Sequence, residues 1–279
     1  MTRYKIGVVG GGFVGKATSG FKSTSDSLVV YDRLPDLCIP LGTTESDVYG
    51  CDLVFVCVPT PMSENGSCFL GDVNSVVHNL QKHGVKHIVL RSTVPVGTCA
   101  QLGCHFMPEF LTERRASRDF RETQEWVLGC EGSSASEVVE MVSQVLKSCQ
   151  EESRVVSSRL AVMTTGEAEA VKYFRNCFLA TKVGFCNELA QYCEAKGVDY
   201  GRVAKVAAGD PRIGLSHTDV PGPDGKRGFG GTCLPKDLSS LIVQFGDEPC
   251  PILRAVKKRN DTVDRPQKDW MNDRGRAVV

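Results

Sequence analysis

Cys233 lies in the run Gly228-Phe229-Gly230-Gly231-Thr232-Cys233-Leu234-Pro235-Lys236-Asp237, where a thiol, an ammonium and a carboxylate crowd behind a glycine-rich turn. Pro235 suits a first helical position, so a helix is expected to begin near it with the thiol close to its N-terminus. That location favours the thiolate, the nucleophilic form of cysteine. Such a group can carry covalent catalysis at a carbonyl carbon. Cys51, Cys57 and Cys177 sit in apolar surroundings instead and read as packing residues.

A second chemical signature opens the chain. Lys5-Ile6-Gly7-Val8-Val9 reads as a strand, Gly10-Gly11-Gly12-Phe13-Val14-Gly15 as a tight turn, and Ala17 to Phe21 as helical. Leu28-Val29-Val30-Tyr31 is the next strand and closes on Asp32, about 20 residues past the glycines, the spacing of a dinucleotide fingerprint. Glycines at 10, 12 and 15 let the backbone approach a pyrophosphate, and the helix N-terminus supplies free N–H groups. Asp32 would hydrogen-bond the adenosine ribose and repel a 2′-phosphate, which favours NAD over NADP. A dinucleotide turn and a polar cysteine in one chain suggest a dehydrogenase that passes through a thioester.

Other polar residues gather at element ends. Val58-Pro59-Thr60-Pro61 and Arg91-Ser92-Thr93-Val94-Pro95-Val96-Gly97-Thr98 each follow a strand, where an open α/β sheet binds its ligands, although both could be plain proline turns. Lys172 and Asn176 lie four apart and share one helix face. A Gly/Pro-rich loop from Pro221 to Gly231 delivers Cys233.

The elements that must position these groups fall into two kinds. Further strands are expected at Leu53–Val58, His87–Leu90, His105–Met107 and Trp126–Leu128, with helices at Val73–His83 and Ala135–Lys147 between them. Alternation of this sort implies an α/β fold with a Rossmann-type parallel sheet covered on both faces, assigned to residues 1–163. From Gly166 the pattern turns helical. Ala168, Val171, Phe174, Phe178, Phe185, Leu189 and Tyr192 recur at helical spacing, and their apolar surface exceeds what a small domain can cover. Residues 164–279 are therefore read as an all-α central domain that also serves dimerisation, giving a homodimer. Arg254 to Arg259 reads as a further amphipathic helix with a solvated basic face.

Composition narrows the function classes. With 33 basic and 33 acidic side chains there is no global field to recruit nucleic acid or an anionic membrane, and neither is expected as a partner. The first strand follows Met1 closely, so no leader is expected, and no apolar run approaches the length of a membrane span. The 13 cysteines are scattered without a CxxC pair and read as reduced thiols in a cytoplasmic protein. Cys99, Cys104 and His105 match no common zinc spacing, so no metal is expected.

Taken together the chain resembles the UDP-glucose and GDP-mannose dehydrogenase family. The resemblance is carried by Gly10-x-Gly12-x-x-Gly15, Val58-Pro59-Thr60-Pro61, Ser92 to Thr98, Pro108-Glu109-Phe110-Leu111-x-Glu113, Ala168-Glu169-x-x-Lys172-x-x-x-Asn176, Asn187-Glu188, Asp210-x-Arg212-Ile213-Gly214 and the run ending at Asp237. It implies oxidation of the C6 hydroxyl of a nucleotide sugar to a carboxylate with two NAD per turnover. UDP-glucose is the leading substrate, with GDP-mannose or a UDP-N-acetylhexosamine as alternatives, or else a nucleotide-binding subunit without turnover.

The resemblance also implies roles. Cys233 would be the nucleophile, Lys172 and Asn176 would stabilise charge on the C6 oxygen, and Asp237 would act as base or orient water. Glu109 and Glu113 would position substrate and the hydrolytic water, and Thr93 would hold that water and touch the nicotinamide. Cofactor contacts would come from Gly10, Gly12, Phe13, Val14, Gly15, Asp32, Pro59, Thr60, Thr93, Glu113 and Lys236. Substrate contacts would come from Glu109, Phe110, Leu111, Lys172, Asn176, Phe229, Gly230 and, reaching a neighbouring subunit, Arg212. Family members usually continue into a second α/β domain, so the chain reads as a short form.

Overall fold

The computed structural model describes residues 3–279. It divides into two compact units, one of Met1–Thr60 and Leu70–Lys172, the other of Pro61–Phe69 and Tyr173–Val279.

The first unit is built on strands β1 (Lys5–Val9), β2 (Ser27–Tyr31), β3 (Leu53–Val56), β4 (Ile88–Leu90), β5 (His105–Phe106), β6 (Trp126–Gly129) and β7 (Leu160–Met163). They form one sheet in the order β2-β1-β3-β4-β5-β6-β7. Neighbours are parallel, β1 to β2 in the register Lys5↔Ser27, except that β5 and β6 run antiparallel through Phe106↔Gly129. The sheet is therefore mostly parallel, and that one reversal is not written in the hydrophobic pattern. Nor is β7 expected: its Leu160-Ala161-Val162-Met163 is an apolar run of only four residues, and its side chains stay partly exposed.

Helices α1 (Phe13–Thr18), α2 (Ser46–Tyr49), α3 (Gly71–Lys82), α4 (Thr98–Leu102), α5 (Ala116–Arg121) and α6 (Ala135–Glu151) cover both faces. Because side chains alternate across a strand, Ile6, Val8, Leu53, Phe55 and Leu128 pack with α1, α5 and α6 on one face. Val9, Val54, Val56, Ile88 and Leu90 pack with α2, α3 and α4 on the other. The first helix starts at Phe13, earlier than the Ala17 expected from apolar content, because the chain turns helical directly after Gly12. Phe21 leaves that helix and stacks among Phe55, Phe120 and Trp126 with ring centroids 4.7 to 5.2 Å apart.

In the second unit, α7 (Thr165–Ala195), α9 (Leu234–Gln244) and α10 (Pro251–Arg259) enclose a small core of Tyr173, Cys177, Ala180, Phe229, Leu238, Ile242 and Cys250; α8 (Tyr200–Ala207) follows α7. The division between units falls inside α7, after Lys172. Its regular elements are helical, with isolated bridges Met62↔Cys68, Met62↔Val278 and Arg274↔Val278 among the described residues. The long helix appears where expected but buries a different face. Phe174, Phe178, Phe185 and Tyr192 are 73%, 57%, 65% and 59% exposed, while Cys177, Ala180, Cys186, Ala190 and Cys193 are buried. Small side chains face the unit's interior and the aromatic stripe faces outward. The tail also differs from a purely solvated basic helix. Arg254 and Lys258 are exposed, but Arg259 turns toward Asp264 at 3.0 Å.

Among the described residues no helix is long and apolar enough to cross a membrane. One backbone position tests the first unit directly. A methyl group on Gly15 would overlap the Gly10 carbonyl oxygen, whereas one on Gly12 would meet nothing within 4 Å. Gly15→Ala should cost about 3 kcal/mol or more, since the clash is with backbone, and lower the melting temperature by roughly 6–12 °C. Gly12→Ala should move it by less than about 2 °C. Thermal denaturation of the two variants checks both values.

Candidate active site

The glycine turn after β1 is shaped by three separate constraints. Gly10 has φ +96°, and a side chain there would press on the Cys57 carbonyl at 2.8 Å. Gly15 is required for the close approach of α1 to the turn. Gly12 is different: it is exposed, its φ of −61° suits any residue, and the chain around it leaves its side-chain direction empty. A glycine with no reason inside the chain fits a ligand backbone passing in front of α1, as the pyrophosphate of a dinucleotide would. Asp32 accepts from Gly11 N at 2.6 Å and from Leu34 N at 2.8 Å, one bond to each carboxylate oxygen. It thus braces the turn, and a carboxylate has further lone pairs for ribose hydroxyls. Phe13 and Val14 are half-buried at the start of α1; beyond β3, Pro59 is exposed and Thr60 buried.

The second cluster of the first unit is a buried ion pair. Lys172 Nζ lies 2.8 Å from Glu109 Oε1 and also donates to the Glu109 carbonyl, while Leu111 N donates to Glu109 Oε2 at 2.7 Å. The ammonium sits 5.4 Å from the centre of the Phe110 ring. Burial pushes the Glu109 carboxyl up, but Lys172 and the Leu111 amide outweigh it and hold the group below its ordinary range. Leu111 is half-buried, Thr93 is buried after β4, and Glu113 is exposed at the start of a short 3-10 turn. Arg91 is buried too, 1% exposed, with its guanidinium 5.3 Å from the Phe21 ring.

The second unit carries the thiol. Cys233 is the N-cap residue of α9, half-buried, with the Thr232 hydroxyl 3.7 Å from its sulfur. One turn on, Asp237 is 1% exposed and accepts from Asn176 Nδ2 at 2.6 Å and from Lys236 Nζ at 2.6 Å. Burial opposes charge on Lys236, but Asp237, Cys233 and Cys68 together raise its pKa above the ordinary lysine value. Asn176, Asp237, Lys236 and Cys233 are thus brought together within one unit. Phe229 is buried in the unit's core, and Gly230 follows it. Arg212 stands apart, 88% exposed at its side chain and gripped by Asp210 at 2.6 to 3.1 Å.

All thirteen cysteines are free thiols. Burial pushes Cys57 up to about 11 and Cys177 and Cys130 up to about 12, so these are poor nucleophiles near neutrality. Among the described residues there is no group of three or more His, Cys, Asp or Glu that could hold a metal ion.

Sequence reading gave no role to Asn260 or Arg265, and none of their own to Arg91 and Asn187, which it named only within the run after β4 and the motif Asn187-Glu188. Asn187 donates to the α7 backbone and receives Gly228 N at 3.1 Å. Asn260 and Arg265 lie beyond α10 and contact the glycine run before Cys233. The signal of Asn260 and Arg265 was weak: one Asn and one Arg in a charged tail look solvated until the fold buries them.

Comparisons with known proteins agree with this architecture. A model of the UDP-glucose/GDP-mannose dehydrogenase family, NAD binding domain, matches residues 41–147, and a model of the same family's central domain matches residues 166–262. The chain is 32% identical over 234 residues to the UDP-glucose 6-dehydrogenase TuaD of Bacillus subtilis, covering 77% of this chain and 48% of that protein. It is 34% identical over 231 residues to a UDP-glucose 6-dehydrogenase of Pseudomonas aeruginosa, covering 75% and 48%. A solved UDP-glucose dehydrogenase from Pyrobaculum islandicum superposes with a TM-score of 0.79 at 27% identity, over 93% of this chain and 68% of that one. The chain spans about half the length of the curated relatives it matches.

The Lys172–Glu109 pair makes a signed prediction. A carboxyl whose folded pKa lies below its unfolded value adds stability that is present above the unfolded pKa and is lost as pH falls through the folded one. The loss should therefore set in below about pH 4.5, the ordinary glutamate value. Lys172→Met leaves the buried carboxylate unpaired, so stability at pH 7 should fall by roughly 3–5 kcal/mol. Its pH dependence should reverse, with the variant gaining stability on mild acidification as Glu109 takes up a proton. Urea denaturation of both proteins between pH 4 and pH 8 reads the sign.

Proposed function

This chain belongs to the UDP-glucose/GDP-mannose dehydrogenase family, and from that premise we propose that it oxidises the C6 hydroxyl of UDP-glucose to a carboxylate in two hydride transfers, giving UDP-glucuronate. The observation that carries the reading is the Asp237 carboxylate, held between Asn176 and Lys236 one helical turn from the Cys233 thiol. Residues 1–163 would serve the cofactor and residues 164–279 the thiol chemistry. NAD, when bound, accepts the hydride of each oxidation.

The chain's own residues divide the rest. Cys233 adds its sulfur to the C6 aldehyde to give a thiohemiacetal; the second oxidation converts this to a thioester, and water releases the acid and restores the thiol. Asn176 and Lys172 stabilise negative charge on the C6 oxygen, and Asp237 takes up the proton or orients water. Glu109 is already tied to Lys172 and held below its ordinary pKa. That favours a positioning role for it, with Phe110 and Leu111, and leaves Glu113 with Thr93 to handle the hydrolytic water. Gly10, Gly12, Phe13, Val14, Gly15, Asp32, Pro59 and Thr60 cradle the dinucleotide, and Lys236 lies at its nicotinamide end. Phe229 and Gly230 line the sugar site, and Arg212 reaches the substrate of a second copy. The exposed aromatic stripe of α7 is the surface on which two copies pair. Free thiols throughout suit a reducing compartment, the cytoplasm.

Purified protein with excess NAD should release two NADH per UDP-glucose consumed. Cys233→Ala should abolish acid formation and leave NAD affinity unchanged. Unaltered turnover in that variant overturns the thioester route, and GDP-mannose or a UDP-N-acetylhexosamine being oxidised in place of UDP-glucose reassigns the substrate. Light scattering should give twice the chain mass, and Phe178→Arg should shift the population toward the monomer.

A further inference from the structure

The glycine run that delivers Cys233 is clamped by side chains far along the chain. Asn260, 1% exposed, accepts from Phe229 N at 2.8 Å and donates to the Phe229 carbonyl at 3.0 Å. This two-bond grip resembles a strand pairing and fixes the peptide planes on both sides of Phe229. Gly228 N is held by Asn187 at 3.1 Å. Over Gly230 lies the guanidinium of Arg265: a side chain on that glycine would come within 2.6 to 2.8 Å of its carbon and nitrogens. Arg265 is only 4% exposed and is itself locked, to Asp224 at 2.5 Å and to Asp269 at 2.7 and 2.8 Å; Asp269 is held in turn by Lys226 at 2.6 Å. Those two carboxylates raise the Arg265 pKa, and Arg265 and Lys226 hold Asp269 well below the usual range.

The physical logic is that glycines make a flexible approach to a nucleophile, and flexibility costs rate unless something removes it. A planar fork fixed by two carboxylates removes it without adding a side chain to the turn. We infer that Arg265, held by Asp224 and Asp269, is a positioning residue that sets the Gly228–Gly231 turn and so the direction of the Cys233 thiol. The inference rests on the reading of Cys233 as the nucleophile. It explains why residues beyond α10 are buried against this turn, and why Gly230 bears no side chain.

The test compares Arg265→Gln, Arg265→Lys and the parent by two readouts. The first is the alkylation rate of Cys233 by iodoacetamide, followed on its tryptic peptide with buried Cys57 as internal reference. The second is the kcat and KM split with UDP-glucose and NAD. Arg265→Gln should speed alkylation of Cys233 several-fold while Cys57 stays protected, and should lower kcat by about ten- to a hundredfold, with KM for NAD unchanged. Arg265→Lys, which keeps the charge without the fork, should fall between. Cys233 alkylation and kcat both within twofold of the parent would overturn the assignment. Should Arg265→Gln expose Cys57 as well, Asp224→Asn takes its place, since it strips one partner from the guanidinium; an unchanged Cys233 rate there is equally fatal. If the parent itself does not oxidise UDP-glucose, the substrate reading fails and the alkylation rates alone decide the positioning role.

Discussion

A carboxylate removed from water must be met by donors, and the second unit is arranged around meeting one. Asp237 is almost wholly buried, and its two oxygens are taken by Asn176 from α7 and Lys236 from its own helix. Losing either partner leaves a charge that the interior cannot solvate. This requirement fixes the register of α9 against α7, because only one rotation of α9 turns Asp237 toward Asn176 while Leu238 and Ile242 enter the core. It also fixes Cys233, which caps the same helix one turn earlier. The first unit repeats the principle with Glu109 and Lys172. In each unit a carboxylate that is costly to bury is made tolerable by a donor to each of its two oxygens.

Much of this was legible in the sequence, for identifiable reasons. Burial on both faces of a strand is written as continuous apolar runs such as Leu53 to Val56, and the glycines at 10, 12 and 15 declare the turn, Gly10 by its positive φ and Gly15 by the close approach it allows. The central strands and the long helix follow from such local signals. The reversed β6 does not, since strand direction is decided by connections rather than by side chains. The helix α7 shows the limit of periodicity: the spacing of its aromatics is helical whichever way the helix is rolled. Its buried face is chosen by the small residues Cys177, Ala180 and Ala190, which let the neighbouring helices approach.

The candidate site was legible to a similar degree. Cys233 and Asp237 stand out by their setting, and Lys172 and Asn176 by their spacing on one helix. Asn260 and Arg265 could not be found that way. Their importance lies in contacts with Phe229 and Gly230, more than thirty residues away along the chain, and nothing in their immediate neighbours records it. Asp224 and Lys226, in a loop rich in glycine and proline, gain meaning only once Arg265 is seen between Asp224 and Asp269.

Nine of the thirteen cysteines are buried, several of them at helix interfaces where they serve as compact apolar side chains. Sulfur fills those places well, but it keeps a memory of its chemistry. Once the chain opens, every one of those thiols meets solvent and its neighbours in the coil, where exchange and oxidation compete with refolding. The same residues that pack the native helices can thus trap the denatured chain in cross-linked forms, and reversibility becomes a property of the surrounding redox buffer as much as of the fold.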